Sequence, residues 1–119
     1  MPVLGVDHVQ LAVPRGSEDE ARAFYGAVLG LAEVPKPEAI RARGGVWFRA
    51  GTHELHLGVE EPFAPARKAH PGLVADDLDA IRARLRAAGV EYEDDAKIEG
   101  VDRLFTHDPF GNRLELRQV

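Results

Sequence analysis

Apolar and polar residues alternate over residues 3–13, with Asp7, Val9, Leu11 and Val13 on one face and His8, Gln10 and Ala12 on the other. This pattern predicts a strand, ended by Pro14, Arg15 and Gly16. The period then becomes helical: Ala21, Phe24, Tyr25, Val28 and Leu29 form one stripe, opened by a Ser17/Glu20 capping box and stopped at Gly30. A short strand over residues 31–34 runs into Pro35 and Pro37, and residues 38–43 read as a loop or a helical turn. Residues 46–50 and 53–59 are predicted strands joined by the Gly51-Thr52 turn. In the second of them Leu55, Leu57 and Val59 share one face, while Glu54, His56 and Gly58 share the other.

Residues 61–68, with Pro62 and Pro65, are the best linker, and beyond them the pattern starts again. Residues 69–75 read as a strand beginning at His70. Asp76 or Asp77 caps a helix whose stripe is Leu78, Ile81, Leu85 and Ala88, and Gly89 ends it. Strands follow over residues 90–96 and 101–107. Asp108-Pro109-Phe110-Gly111-Asn112 is turn chemistry, and it leads into a last strand where Leu114 and Leu116 face a core and Glu115 faces away. The order is strand, helix, three strands, twice over, so modules 1–60 and 69–119 build a single domain across residues 1–119. His8 and His70 lie 62 positions apart, and His56 and Glu115 lie 59 apart. A near-constant offset marks two copies of one supersecondary unit.

The length suits one domain with a real core, and the 45% hydrophobic and 29% charged fractions are ordinary for a globular chain. No cysteine is present, which excludes thiolate chemistry and sulfur metal sites. The net charge of −5 argues against a nucleic-acid partner. Without a long apolar run or a signal-peptide pattern, no membrane association is expected, and the expected compartment is the cytoplasm.

His8, His56 and Glu115 share the non-core face by strand parity, and His70 joins them if its strand pairs as the first one does. Alone, each histidine is more often a surface or hydrogen-bonding residue, and Glu115 a solvated one. Together, three imidazoles and a carboxylate at equivalent places of a repeat make a plausible set for a divalent metal: Zn, Ni, Co, Mn or Fe(II). His53 has the wrong parity and His107 precedes a turn, so both are given structural or exposed roles. Gln10 is expected in the cavity beside His8. Trp47 and Arg49 share a strand face and offer stacking and an anion contact to a substrate, with edge-of-core packing the plainer reading for Trp47.

Five pieces carry a family resemblance: Val6-Asp7-His8-Val9, the helix with Ala23-Phe24-Tyr25 and Val28-Leu29-Gly30, Glu54-Leu55-His56-Leu57, Asp76-Asp77-Leu78-Asp79, and Asp108 through Glu115. In this order they resemble the vicinal oxygen chelate superfamily, the glyoxalase/bleomycin-resistance/extradiol-dioxygenase group. The resemblance implies an α+β fold of two βαβββ modules forming a cup-shaped mixed sheet around a metal, commonly in a homodimer. It implies that His8, His70 and Glu115 are metal ligands, with His56 at the fourth ligand place, where the usual residue is a carboxylate. It further implies a lyase or isomerase acting on a small substrate that chelates the metal through vicinal oxygens, with Glu115 as the first candidate base and His56 the second. An Fe(II) extradiol-type dioxygenase and a non-catalytic, drug-sequestering protein of the bleomycin-resistance type are the alternatives.

Overall fold

The computed structural model describes residues 2–119. Its elements follow the duplicated order. The first module holds β1 (His8–Val13), a helix, β2 (Ala32–Val34), a 3-10 turn (Glu38–Arg43), β3 (Val46–Ala50) and β4 (His53–Val59). The second holds β5 (Gly72–Ala75), α2 (Leu78–Ala87), β6 (Tyr92–Asp95), β7 (Arg103–His107) and β8 (Arg113–Gln118). Each module makes its own four-stranded mixed sheet, ordered β1-β4-β3-β2 and β5-β8-β7-β6. In both, the first strand pairs parallel with the last, and the other pairs are antiparallel. β1 and β5 therefore each keep one unpaired edge.

The first helix differs from its expected form. An α-helical start, α1 (Glu18–Ala21), continues as a π-helical stretch over Arg22–Val28. No capping box forms: Ser17 is not in an extended cap conformation, and its hydroxyl donates to the Pro14 carbonyl at 2.6 Å. Glu18 instead reaches across to accept from the Gly45 amide at 2.7 Å. The second helix is capped as expected, Asp77 accepting from the Ala80 amide at 3.0 Å. β1 and β5 are shorter than the alternation suggested, and His70 precedes β5 rather than lying in it.

The alternating leucines do what their parity requires. Leu55, Leu57, Leu104, Leu114 and Leu116 join Phe24, Tyr25, Leu78 and Leu85 in one buried cluster drawn from both modules. The helices lie within this shared core, the first packing on β2, β3 and α2. The remaining face of each sheet is turned away from it.

A polar clasp crosses the core. The Tyr25 hydroxyl, on the first helix, donates to Asp108 Oδ2 at 2.6 Å. Asp108 Oδ1 accepts from the amides of Phe110 and Asn112 at 2.9 and 2.8 Å. The Asn112 side-chain amide donates to Asp108 Oδ2 at 2.9 Å and to the Ala12 carbonyl on β1 at 2.8 Å. All three side chains are buried. The turn before β8 is thus a staple between the two modules, with Gly111 at φ +94 allowing its tight reversal. Burial and the nearby Asp108 carboxylate push the Tyr25 hydroxyl pKa well above the ordinary phenol value.

Candidate functional site

On the outward face of the first sheet three rings form a ladder across β3, β4 and β1. Trp47 is the cross-strand partner of His56, and their rings stack 3.6 Å apart with planes 2° from parallel. His56 stacks in turn on His8, centroids 4.2 Å apart. Gln10, paired with His56 in register, lies over Gly58, where an added Cβ would stand 2.6 Å from its Nε2. Arg49 donates to Glu54 at 3.3 Å, and the other Glu54 oxygen lies 2.8 Å from His56 Nε2.

On the second sheet Glu115 is almost fully buried. Its Oε1 lies 3.0 Å from His70 Nε2. Its Oε2 accepts from Arg103 at 3.2 Å and from Arg117. Arg103 is itself anchored on Asp95. Burial, the largest single influence on Glu115, raises its pKa, but the hydrogen bonds from Arg117, His70 and Arg103 outweigh it and bring the carboxyl down to about 2. Phe105, the cross-strand partner of Glu115, packs edge-on to His70 at 5.4 Å.

The four expected ligands therefore stand as two pairs, His8 with His56 and His70 with Glu115. Among the described residues, no group of three or more His, Asp or Glu side chains is placed to hold one metal ion within the chain. A single chain does not bring the four positions together, because each sheet turns its outward face away from the common core.

The chemistry of each pair nevertheless suits a metal. His70 Nδ1 lies 2.8 Å from the Lys68 carbonyl, which can only accept, so that nitrogen carries the hydrogen. Nε2 faces a carboxylate oxygen at 3.0 Å, a contact that holds only with a proton or a metal cation between the two atoms. His8 Nδ1 is likewise held by Asp7 at 3.0 Å, and His56 Nε2 by Glu54. Each of the three imidazoles has one nitrogen held against an acceptor, the arrangement that orients metal-bound histidines. The bond from His8 also lowers the pKa of Asp7.

A family model described as the Glyoxalase/Bleomycin resistance protein/Dioxygenase superfamily matches residues 5–116. The chain belongs to that superfamily. The chain is similar to "Glyoxylase I 4" of Arabidopsis thaliana, 29% identical over 110 residues; the match takes in 84% of this chain and 63% of that protein's length. A glyoxalase family protein from Bacillus anthracis has 46% identity and superposes with a TM-score of 0.94 over 98% of this chain and 95% of its own. A lactoylglutathione lyase from Agrobacterium tumefaciens has 25% identity and a TM-score of 0.75, over 99% and 96% of the two chains. The paired βαβββ sheets described above are this superfamily's fold.

Several site residues carry no role in the sequence reading. Glu54 has the parity of His56, two places on, and an acid at that spacing on a strand face was the available signal. Arg117 bears the same relation to Glu115. Asp95, Arg103, Phe105 and Arg113 reach the site through cross-strand register, which no local pattern reports. His53 and His107 are exposed at strand ends.

Proposed function

We propose that the protein is a divalent-metal-dependent lyase or isomerase of the glyoxalase type, acting on a small substrate that binds through vicinal oxygens. The observation that carries this reading is the set of three histidines, each with one ring nitrogen against an acceptor, and the approach of His70 Nε2 to the Glu115 carboxylate at 3.0 Å. In this reading His8, His70 and Glu115 hold the metal. The metal, Zn, Ni, Co, Mn or Fe(II), supplies Lewis-acid stabilisation of negative charge developing on substrate oxygen.

The chain's own groups supply the rest. Glu115, clamped by two guanidiniums and weakly basic, serves as a ligand rather than as the proton acceptor. His56, backed by the Glu54 carboxylate and enclosed between Trp47 and His8, holds and returns the proton. Trp47 walls the site and Gln10 offers an amide to substrate oxygen. Arg49 holds Glu54 in place.

Because the two pairs lie on different sheets, the reading requires a homodimer in which the first module of one chain faces the second module of another. The unpaired edges of β1 and β5 and the exposed Val6, Val9 and Val74 support such pairing. Elemental analysis of untagged protein incubated with each metal tests the proposal. Near-stoichiometric metal, lost in His70→Ala and in Glu115→Ala, is expected. Mixing His8→Ala with His70→Ala chains should regain metal, since a mixed dimer rebuilds one intact site. Failure of the parent protein to retain any of the five metals would overturn the reading. Full occupancy in a sedimenting monomer would overturn the two-chain part of it. Retained iron with catechol cleavage would instead favour the dioxygenase alternative, for which His8, His70 and Glu115 form a two-imidazole, one-carboxylate set.

A further inference from the structure

The two sheets are built on one plan, and one pair of positions breaks it. In the first sheet Arg49 and Glu54 are cross-strand partners, two residues from the Trp47–His56 pair. In the second, His107 and Arg113 are partners at the same distance from the Phe105–Glu115 pair. Trp47 thus corresponds to Phe105, Arg49 to His107 and Glu54 to Arg113. The first combination is a closed ion pair at 3.3 Å. The second places two donors side by side with no acid between them.

Arg113 is half-buried, and its guanidinium lies 4.2 Å above the Phe105 ring. Among the described residues its one hydrogen-bond acceptor is the Lys68 carbonyl, at a long 3.5 Å from Nη1, and His70 Nδ1, already donating to that carbonyl, lies 3.4 Å away. Among the described residues, no carboxylate forms an ion pair with it, whereas Arg103 and Arg117 on the same face are both bound to Glu115. The contact with the ring steadies the guanidinium and leaves most of its N–H fork unused, and such a fork suits a planar or tetrahedral oxyanion. A cavity of about 590 Å³ opens beside it, lined also by Phe105, His107, Arg86 and Tyr92. Arg86 is engaged with the Tyr92 hydroxyl at 2.6 Å. Glu91 and Glu93 line the β6 side of the cavity, and His107 and Arg113 its β7 and β8 side.

We infer that Arg113 and His107, against the Phe105 ring, form an anion subsite that receives a carboxylate or phosphate group of the substrate. The substrate class is then a small organic acid or phosphate ester whose acid group is held here while its vicinal oxygens reach the proposed metal. The inference rests on the reading of His70 and Glu115 as metal ligands only for what the substrate does next; the anion site itself is complete in metal-free protein.

The test follows the side-chain N–H signals of the arginines and the ring signals of His107 by NMR. EDTA-treated protein is titrated separately with acetate and with methyl phosphate. Saturable shifts at Arg113 and His107 in roughly the millimolar range are expected, and the tighter of the two probes names the acid group. Arg113→Gln should weaken binding by about tenfold or more, and Arg113→Lys should retain part of it. If Arg113→Gln does not fold, the exposed His107→Ala variant supplies the same comparison. Arg15→Gln, at a guanidinium paired with Glu61, should leave the affinity unchanged. Absence of shifts at Arg113, unchanged binding in both Arg113 variants, or binding lost in Arg15→Gln would each overturn the inference. Because no metal is present, these outcomes are independent of whether the metal reading stands.

Discussion

Replacing Tyr25 by Phe removes one oxygen from the clasp and leaves the ring in the core against Phe24 and Phe48. The lost bond is a 2.6 Å donation to a buried carboxylate, a class worth about 1.5–3 kcal/mol. Asp108 Oδ2 keeps its bond from the Asn112 amide, so the acceptor is not orphaned, and a cost of about 2 kcal/mol is expected. For a chain of this length that corresponds to a fall in Tm of about 8 °C. Urea unfolding followed by Trp47 fluorescence and calorimetry would both report it. The pH dependence provides a second, independent readout. The Tyr25 pKa is raised in the folded state, so its contribution is complete below pH 10 and is lost as pH rises and the unfolded phenol ionises. The parent should lose about 1.4 kcal/mol per pH unit more than Tyr25→Phe above that point. A stability difference below about 0.5 kcal/mol, or identical alkaline slopes, would refute the assignment of the clasp as a main tie between modules.

Gly45→Ala should destabilise the protein by more than about 3 kcal/mol, because a Cβ there would stand 2.0 Å from the Leu57 carbonyl oxygen at a φ of +86; chemical denaturation measures it, and a near-neutral result would contradict the β3–β4 register. Acid titration of Glu115 runs in the opposite sense from Tyr25. With its folded pKa at about 2, against 4.5 unperturbed, its stabilising contribution is present above pH 4.5 and lost as pH falls toward 2. The ceiling is roughly 3 kcal/mol, reduced by the partial exposure of Arg117. Glu115→Gln should flatten the stability curve over that interval, and an unchanged curve would dismiss the clamp. Glu54→Ala removes the acceptor at His56 Nε2; the ring's 15N signals should then report a mixture of tautomers where the parent has one, and identical signals would take Glu54 out of its positioning role.

Most of the architecture was legible because it rests on local periodicity. The alternation in β4 and β8 placed Leu55, Leu57, Leu114 and Leu116 inward, and His56 and Glu115 outward, and the cap at Asp77 was visible as a residue type before a helical stripe. What escaped depends on partners distant in the chain. Asp108 reads as a turn residue, and nothing local indicates that its carboxylate meets a phenol 83 positions away. The expected Ser17 cap failed for a similar reason: Glu18 is drawn to the Gly45 amide, and the chain enters the helix in another conformation. Strand parity put His8, His56 and Glu115 on outward faces, while His70 precedes β5 and meets Glu115 from outside the sheet. It carries no information about the direction in which each sheet faces, so it could not show that one chain divides them into two pairs. The stack of Trp47 on His56 and the Arg103–Glu115 bond need cross-strand register, which a single sequence does not display.

The clasp also bears on what a duplicated chain can become. A repeat whose copies each enclose their own core can be cut at the connecting segment, and either piece survives. Here Tyr25 and Asn112 place the buried partners of one copy inside the other, so a fragment ending near residue 60 would carry a phenol with no acceptor, and its complement an Asn112 amide that has lost the Ala12 carbonyl and a carboxylate short of one donor. The two pieces are expected to stay unfolded apart and to regain structure only when co-expressed, which makes residues 61–68 a natural breakpoint for a split reporter.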